Sequence, residues 1–557
     1  MKTKKIVSLL LSLAVMLTSL SLLCVGVSAV EVQNQIDIPE EATTYELDGV
    51  TYTVVRTAAQ MNELAVTNAS GGVKYILDAD LDYTTVNDFK PIQLNGGSFN
   101  GNGHSITGVT INYQSATAPS SSAPVHKGIF EVGNASTAGT ATISNLIIGS
   151  MDKKVVVSAV AGEGAAYGRI GALVGYTYNN SSLTVENVAV YADVTATNFR
   201  TGGMIGEARG TLIMKNCAFY GTVTVNGTQT STGSTSYAAG GFFGYSYGLK
   251  VTMENCANYG NIKHLQGYAG GLMGAVTNTA NLTNCANYGN ITGGTIGGLI
   301  GTSGPSTKAK VTMNNCFNAG EVTGTTHTGG LVGACSQDAD YFTKLNYSAN
   351  IGNLTGTNVN DLAANVVTDS SYTVATCGSY GAQNTLTDTA AALTFMQTNC
   401  SYAMFGIEDN KIVVKTVPAE AKFLQYKKDA EANTMDIRVL GVINASVLSK
   451  YENVGFNVSI YNADENKAKV GDPIGTYAPF TTTVYESVNA NEGGTITTYS
   501  ALDLGATYLY ALELQNIPMT GSYVFEITAF ATETEAEGGA TVSDSVVTVT
   551  VVDGKIQ

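Results

Sequence analysis

Three aspartates in the segment KYILDADLDY (74–83) have the spacing of ligands on one face of a β-strand. Asp78, Asp80 and Asp82 alternate with apolar residues, and side chains two residues apart on a strand point the same way. Grouped carboxylates suit Ca²⁺, which prefers oxygen ligands, or the acid–base chemistry of a polysaccharide-cleaving enzyme. The alternative interpretation is a charged strand face in contact with water.

The histidines give no sign of a metal centre. His104 lies in the glycine-rich phrase GNGHSITG (101–108), which is typical of a turn, and no histidine begins an HExxH motif. A zinc peptidase of that type places two histidines one helical turn apart. The sequence therefore argues against this class of enzyme.

A repeated phrase offers the other candidate chemistry. NCANYGNI occurs at 255–262 and again at 284–291, and each copy follows a cluster of the form Gly-Gly-apolar-apolar-Gly. Successive clusters lie about 30 residues apart, with variable steps, which suits a solenoid whose coils differ in loop length. The clusters occupy 202–206, 240–244, 270–274, 297–301 and 329–333, with a degenerate first member at 171–175.

The repeat predicts short parallel strands wound as a parallel β-helix. In KVTMEN (250–255), Val251 and Met253 share one strand face, whereas the step from Met253 to Cys256 breaks the alternation and predicts a corner. No helical period is sustained. In such a fold, equivalent residues of successive coils stack at about 4.8 Å, so a repeated residue forms a row.

Three rows follow from this interpretation. We expect an inward stack of thiols, a buried ladder of amides, and a stack of tyrosine rings that leans outward and ends at Ala319. The alternative for the cysteines is a metal site, but zinc sites use close pairs such as CxxC, which the sequence lacks. The members are Cys217, Cys256, Cys285 and Cys316; Asn258, Asn287 and Asn318; and Tyr220, Tyr259 and Tyr288.

The tyrosine row is the best candidate for ligand binding, because aromatic rings can receive sugar rings. The same rings are equally explained by stacking between coils, which is the outcome that we favour. The chain contains no tryptophan, and this weakens the carbohydrate-binding interpretation without removing it.

The combination of Gly-Gly-apolar-apolar-Gly with Asn-Cys-x-Asn-x-Gly resembles the GLUG repeat of secreted and surface-attached bacterial proteins. The clear copies cover about 171–333. The resemblance implies a β-solenoid. It says little about activity, because this repeat accompanies peptidases, adhesin-like proteins and many uncharacterised surface proteins.

The segments outside the clear repeats predict the rest of the organisation. Residues 1–29 have the lysines, apolar run and small-residue cleavage site of a signal peptide, and 30–50 read as a linker. A β-solenoid is predicted over 51–417, with short capping helices at 57–64 and 386–399. Alternating strands without the glycine repeat predict an antiparallel β-sandwich over 420–557.

The composition narrows the function. The formal net charge is −16, and charged residues make up 13% of the chain. This balance argues against nucleic acid and anionic membranes as partners. The sequence has no second apolar span long enough to predict a membrane helix.

We therefore expect an all-β protein, secreted or held at the cell surface. It would be a non-catalytic, adhesin-like scaffold that needs no cofactor, and its partners would be extracellular polysaccharides or host-surface glycans. The alternative is a β-helix polysaccharide lyase or glycoside hydrolase.

Overall fold

The computed structural model describes two compact units, one that extends to Val414 and one that begins at Lys415. The predicted signal peptide and the predicted helix at 386–399 lie outside the described residues. Those residues are 35–86, 88–133, 139–162, 167–178, 181–197, 199–227, 237–304, 309–335, 342–346, 348–364, 372–375, 378–379, 405–408, 411–414, 420–429, 433–443, 453–464, 466, 468–477, 480–481, 487–492, 495–500, 508–532, 541–543, 547–552 and 555–556.

Nearly all regular secondary structure among the described residues is β-strand, so the prediction of an all-β protein is confirmed. The strands of the first unit are β1 Thr44–Leu47, β2 Val50–Val55, β3 Lys74–Leu77, β4 Leu81–Asp82, β5 Ile92–Gln93, β6 Ser98–Asn100, β7 Ser105–Thr107, β8 Thr110–Gln114, β9 Val125–Lys127, β10 Phe130–Val132, β11 Thr140–Ile148, β12 Val155–Val160, β13 Gly168–Ile170, β14 Val174–Thr177, β15 Ser182–Ala196, β16 Arg200–Gly202, β17 Ile205–Ala208, β18 Thr211–Val225, β19 Ala238–Gly240, β20 Phe243–Ser246, β21 Lys250–Glu254, β22 Ala257–Asn258, β23 Asn261–His264, β24 Tyr268–Gly270, β25 Met273–Val276, β26 Thr279–Thr283, β27 Ala286–Asn287, β28 Ile291–Gly297, β29 Ile300–Ser303, β30 Lys310–Asn314, β31 Phe317–Asn318, β32 Val322–Gly329, β33 Val332–Ala334, β34 Phe342–Asn346, β35 Ala349–Asn350, β36 Leu354–Gly356, β37 Val359–Asn360, β38 Tyr372–Ala375, β39 Gly378–Ser379, β40 Phe405–Glu408 and β41 Lys411–Val414.

The first unit opens with an antiparallel strand pair and one helix. β1 pairs with β2, so part of the segment expected to be a linker is a strand. Helix α1 spans Ala58–Thr67, and the Thr57 side chain caps it by accepting a hydrogen bond from the Gln60 amide. Among the described residues no helix has the length and apolar character to cross a membrane.

In the repeat region, strands pair in parallel with the equivalent strand one repeat further along the chain. β18 pairs with β15 on one side and with β21, β22 and β23 on the other. A second parallel sheet contains β5, β10, β14, β17, β20, β25, β29 and β33, most of which begin at the fourth residue of a glycine cluster. Residues repeated in the sequence therefore face one another in space, as in the row Met214, Met253, Leu282 and Met313.

Each repeat turns a corner at an asparagine in the left-handed conformation. Asn255 has a φ of 52° and lies between Met253 and Cys256, where the sequence alternation breaks. Asparagine visits this conformation more readily than most residues with a side chain. The equivalent corner residues are Asn145, Asn187, Asn216, Asn284 and Asn315, with φ between 50° and 55°.

The glycine clusters make room for another asparagine, the one in the middle of the repeated phrase. A Cβ atom added to Gly271 would lie 2.3 Å from the Asn287 side-chain carbon, and one added to Gly298 would lie 2.4 Å from the equivalent carbon of Asn318. Real Cβ atoms do not approach so closely, because interiors are already close-packed. The two motifs of the repeat are therefore the two sides of one contact.

A large hydrophobic cluster runs through the first unit from Val55 to Ala363, beside two small clusters around Val54 and Tyr245. Its members alternate along the strands with residues that face away from it, as they do in Val155, Val157 and Ala159 of β12. Parallel sheets need apolar cover, and here the strands of the repeats supply it to one another.

The second unit consists of antiparallel sheets. β42, β43 and β49 form one sheet, and β44, β45, β50, β52 and β53 belong to another. Both contribute to one hydrophobic cluster, with Met435 and Val439 from the first and Phe456 and Phe525 from the second. The strands are β42 Glu420–Asp429, β43 Thr434–Ile443, β44 Asn453–Ala463, β45 Lys469–Tyr477, β46 Phe480–Thr481, β47 Ser487–Glu492, β48 Thr495–Ser500, β49 Tyr508–Pro518, β50 Ser522–Thr532, β51 Thr541–Ser543, β52 Val547–Val552 and β53 Lys555–Ile556.

Candidate functional site

The tyrosines of the repeated phrase stack face to face. The ring centroids of Tyr220 and Tyr259 lie 4.8 Å apart, those of Tyr259 and Tyr288 lie 4.7 Å apart, and each pair is within 3° of parallel. Tyr191 extends the stack by a further ring at 4.5 Å from Tyr220. At the other end, Phe317 meets Tyr288 edge-on at 5.4 Å.

This geometry limits what the tyrosine row can bind. A sugar ring stacks on the face of an aromatic ring, and the facing sides within this row are covered by the neighbouring tyrosines. The half-buried rings therefore present their edges to the surroundings. The arrangement favours cohesion between repeats over a platform for carbohydrate.

The asparagines in the middle of the phrase form a buried amide ladder. The Nδ2 of Asn258 donates to the Oδ1 of Asn287 at 2.7 Å, Asn287 donates to Asn318 at 2.7 Å, and Asn318 donates to Asn350 at 2.8 Å. Each Nδ2 also donates to the carbonyl oxygen two residues further on, as Asn287 does to Gly289 at 2.8 Å. Both amide protons are thus satisfied without water, as buried polar groups require.

The corner asparagines form a second ladder that the sequence interpretation missed. Asn255 donates to Asn216 at 3.1 Å, and Asn284 donates to Asn255 at 3.1 Å. This ladder donates towards earlier repeats, whereas the buried ladder donates towards later ones. The signal was present in the sequence, because an asparagine precedes the apolar or cysteine position of every repeat from Asn145 to Asn315.

The four repeat cysteines are buried free thiols. The Sγ of Cys256 donates to the Glu254 carbonyl at 3.3 Å, and that of Cys285 donates to the Thr283 carbonyl at 3.3 Å. Burial raises the pKa of the Cys256, Cys285 and Cys316 thiols well above the usual range. Groups in this state are poor nucleophiles and poor metal ligands, because both roles need the thiolate.

The three aspartates do not converge on a common ligand. The expected strand ends at Leu77, and Asp78 turns to accept from the Arg56 Nε at 2.7 Å. Asp80 accepts from the Ser105 amide at 2.7 Å, and Asp82 accepts from the Lys153 Nζ at 2.9 Å. Throughout the described part of the chain, no group of three His, Cys, Asp or Glu side chains could hold a metal ion.

A different cluster is formed by residues from strands of both parallel sheets, and sequence reasoning did not find it. Arg169 on β13 and Arg200 on β16 are in-register neighbours. Glu207 on β17 accepts from the Arg169 Nε at 2.7 Å, from Arg200 Nη1 at 2.5 Å and from the Arg209 Nε at 2.6 Å. We call Arg169, Arg200, Glu207 and Arg209, with the tyrosines that cover them, the arginine–tyrosine cluster.

Glu207 is fully buried and ionised. Burial opposes its charge, but the charges of Arg200, Arg169 and Arg209 outweigh that effect and lower the pKa of Glu207 to about 2. One carboxylate faces three guanidinium groups, so the cluster carries an excess of positive charge in a chain whose net charge is −16.

Tyrosine rings cover the arginines. The Arg200 guanidinium lies 4.0 Å from the centroid of Tyr245, and that of Arg209 lies 5.0 Å from Tyr247. Arg169 lies 4.9 Å from Tyr176. Cations over aromatic faces are stabilised by the ring quadrupole, and Tyr247, with 43% of its surface exposed, keeps part of its ring accessible.

His126 completes the cluster on one side. It is the register partner of Arg169, and its ring packs 4.4 Å from that of Tyr176. Burial, reinforced by the charge of Arg169, lowers the pKa of His126 to about 4, so the imidazole is neutral at pH 7. His126 Nε2 and Arg200 Nε are buried and have no hydrogen-bond partner among the described residues.

An alignment of the repeats on their glycine clusters would have revealed the arginine–tyrosine cluster. Arg169 and Arg200 both stand two residues before the first glycine of their clusters, and Tyr176, Glu207 and Tyr245 all follow the last glycine. Later repeats have alanine or threonine at many of these places. The cluster is thus a local departure from the repeat, which a search for identical residues passes over.

Comparisons with known proteins do not identify a family for this chain. No protein-family model matches the chain, and no curated protein matches it. The crystal structure of a "putative immunoglobulin A1 protease" from Bacteroides ovatus is similar over 65% of this chain and 92% of that one, with 15% sequence identity and a TM-score of 0.35.

Proposed function

We propose that the protein is a secreted or cell-surface scaffold of the adhesin type that binds extracellular glycans without cleaving them. In this proposal the repeats wind as a GLUG-type parallel β-helix, and the second unit is a β-sandwich. The observation that carries it is the double asparagine ladder with its tyrosine and cysteine rows. These repeated polar side chains bond to or stack on their equivalents in the next repeat.

This use of the repeated residues supports a structural role for the repeat. A catalytic site needs polar groups aimed at a substrate, whereas the amides of both ladders are aimed along the stack. The fully buried Asn258, Asn287 and Asn318 have no contact with water through which a substrate could reach them. The repeat thus builds a rigid support.

The glycan part of the proposal is supported by surface chemistry and by the amino terminus. The signal-like residues 1–29 are typical of an exported protein. The negative net charge disfavours nucleic acid, while the partly exposed Tyr167 and Tyr247 offer aromatic surface beside arginines.

A polysaccharide lyase or glycoside hydrolase is the second candidate, and the arginine–tyrosine cluster is the observation in its favour. Arginine side chains that surround a carboxylate resemble the cationic clamps with which enzymes stabilise negative charge on a substrate. Against it, Glu207 is fully buried behind three arginines. A carboxylate in that position cannot approach a glycosidic oxygen or activate a water.

The experiment that tests the proposal exposes the full chain to an array of neutral and acidic glycans. In parallel, polyuronides and neutral polysaccharides are incubated with the protein and assayed for unsaturated products and for reducing ends. We expect selective binding and no product above a heat-denatured control. Product formation would establish the enzyme, and an array without selective signal would refute glycan binding.

A further inference from the structure

The arginine–tyrosine cluster has a charge imbalance that its own residues do not correct. Among the described residues, the carboxylate of Glu207 accepts from all three of Arg169, Arg200 and Arg209. The side chains of Arg169 and Arg200 are only 7% and 13% exposed. Partly buried charges are costly unless they are paired, so the excess of positive charge favours an additional anion at this place.

Two buried polar atoms in and beside the cluster, Arg200 Nε and His126 Nε2, have no hydrogen-bond partner among the residues that the structure describes. Arg200 Nε is a donor at every pH at which the protein folds, and His126 Nε2 can donate when the neutral ring carries its proton there. Unsatisfied buried groups are rare in native proteins, and each asks for an explanation. An anion with several acceptor oxygens at the accessible side of the cluster, near Arg209, would reduce the charge imbalance around these groups.

The shape of the accepted anion follows from the chemistry of the side chains. Guanidinium groups pair with planar carboxylates through parallel hydrogen bonds. Tyr247 is 43% exposed and its ring lies 6.3 Å from that of Tyr245 at an angle of 13°, so the carboxylate would enter beside an aromatic surface. A carboxylate attached to a ring with apolar C–H faces fits both features.

We propose that the arginine–tyrosine cluster binds the carboxylate of an acidic sugar, a hexuronate or a sialic-type residue, within a glycan chain. This assignment rests on the proposed glycan-binding function and names the substrate class for it. Tyr247 packs against the sugar ring, Arg209, the most exposed of the three arginines at 23%, meets the carboxylate, and Arg200 and Arg169 hold the site positive.

The test titrates the full chain with glucuronate, galacturonate and N-acetylneuraminate, and with glucose as the neutral counterpart, by calorimetry and by NMR of the ligand. We expect an acidic sugar to bind with a Kd on the order of 1 mM, weakening as salt is added because the contact is ionic. Glucose should not bind at this place.

Two variants examine the site and two serve as matched controls. Arg209→Gln and Tyr247→Ala should each weaken binding about tenfold. Arg56→Gln, which removes an arginine paired with Asp78, and Tyr477→Ala, which removes an exposed tyrosine in the second unit, should leave it unchanged. Should Arg209→Gln fail to fold, Tyr247→Ala and the salt dependence still decide the question.

Equal binding of acidic sugars by the wild type and by a folded Arg209→Gln or Tyr247→Ala variant would overturn the assignment, as would the absence of binding to any acidic sugar. Other results separate a failure of this site from a failure of the proposed function. Selective binding of neutral glycans on the array with no response to acidic sugars would sink the site and leave the scaffold proposal standing. Binding of free acidic sugars with no signal on the glycan array would support the site and refute the proposed glycan-binding function.

Discussion

The Nδ2 of Asn258 lies 2.7 Å from the Oδ1 of Asn287, one repeat further along the chain, and both side chains are fully buried. This contact joins residues 29 positions apart through atoms that water cannot reach. It explains why the asparagine in the middle of the phrase NCANYGNI recurs, because an identical residue in register continues the ladder.

Asn287→Ala should therefore destabilise the first unit. The change leaves one amide proton of Asn258 without an acceptor, and it takes from Asn318 Oδ1 one of two donors, the other being the Gly320 amide. A buried group that loses its partner costs about 1–3 kcal/mol. We expect the free energy of unfolding to fall by about 3 kcal/mol in urea titrations. Asn112→Ala, at an exposed position on β8, is the control and should change little; equal losses in the two variants would contradict the ladder's role.

Gly271→Ala tests the contact between the two motifs. A methyl group there would lie 2.3 Å from the Asn287 side chain and 2.3 Å from the Gly298 carbonyl oxygen, so the repeats must shift apart. We expect a loss of about 3 kcal/mol in unfolding free energy. Gly49→Ala is the comparison: its φ of 73° strains alanine, but nothing lies within 4 Å of the new atom. A smaller loss of unfolding free energy for Gly271→Ala than for Gly49→Ala would show that the repeats can move apart at little cost.

The four repeat thiols should resist modification. All four are buried, and burial raises the pKa of the Cys256, Cys285 and Cys316 thiols well above the usual range, so that these three carry almost no thiolate at pH 8. Titration of the native protein with a thiol reagent should give little reaction at these positions, and denaturant without reductant should release it. A disulfide between Cys256 and Cys285, detected by peptide mass spectrometry, would show that the geometry described for these residues is wrong.

Acid should weaken the first unit through its buried histidines. Burial lowers the pKa of both His126 and His264 from 6.5 to about 4. Between these values the unfolded chain binds more protons than the native one, so stability falls as the pH drops from about 6.5 to about 4, by up to about 1.4 kcal/mol per pH unit for each histidine.

Replacing both histidines with glutamine should flatten this dependence. Denaturant titrations at pH 7, 5.5 and 4.5 measure it, and the wild type should lose more stability across the series than the double variant. Below about pH 4.5 a further loss should appear, because Glu207 takes up a proton near its ordinary pKa in the unfolded chain but only near pH 2 in the native one. Parallel curves for wild type and variant would exclude the histidines as the cause.

The sequence predicted those features that repetition encodes. The strand alternation around Val251 and Met253 and the corner before Cys256 are visible as spacing, because a strand has a period of two and a corner breaks it. The residue that makes the corner, Asn255, was in the quoted phrase but was not interpreted, since its left-handed conformation is a property of the backbone. The sequence pattern did not place Tyr191 in the tyrosine row, because its repeat lacks the Asn-Cys signature, although Tyr191 is in register with Tyr220.

The arginine–tyrosine cluster could not be predicted from spacing within one segment. Arg169 and Glu207 are 38 residues apart and meet only because their strands belong to neighbouring repeats and different sheets. For the three aspartates, the spacing within one segment was misleading. Their regular spacing suggested one face, but the strand stops at Leu77, and tertiary partners such as Arg56 separate the carboxylates.

The central claim is that the repeated residues build the scaffold and that binding takes place elsewhere on it. A variant with Tyr220, Tyr259 and Tyr288 all changed to alanine tests this most directly, with melting and glycan binding measured on the same preparation. We predict that the melting temperature falls by about 5 °C or more, because the ring stack between repeats is lost, while glycan binding below that temperature is retained. Unchanged melting with lost glycan binding would contradict the claim and make the tyrosine row the binding site.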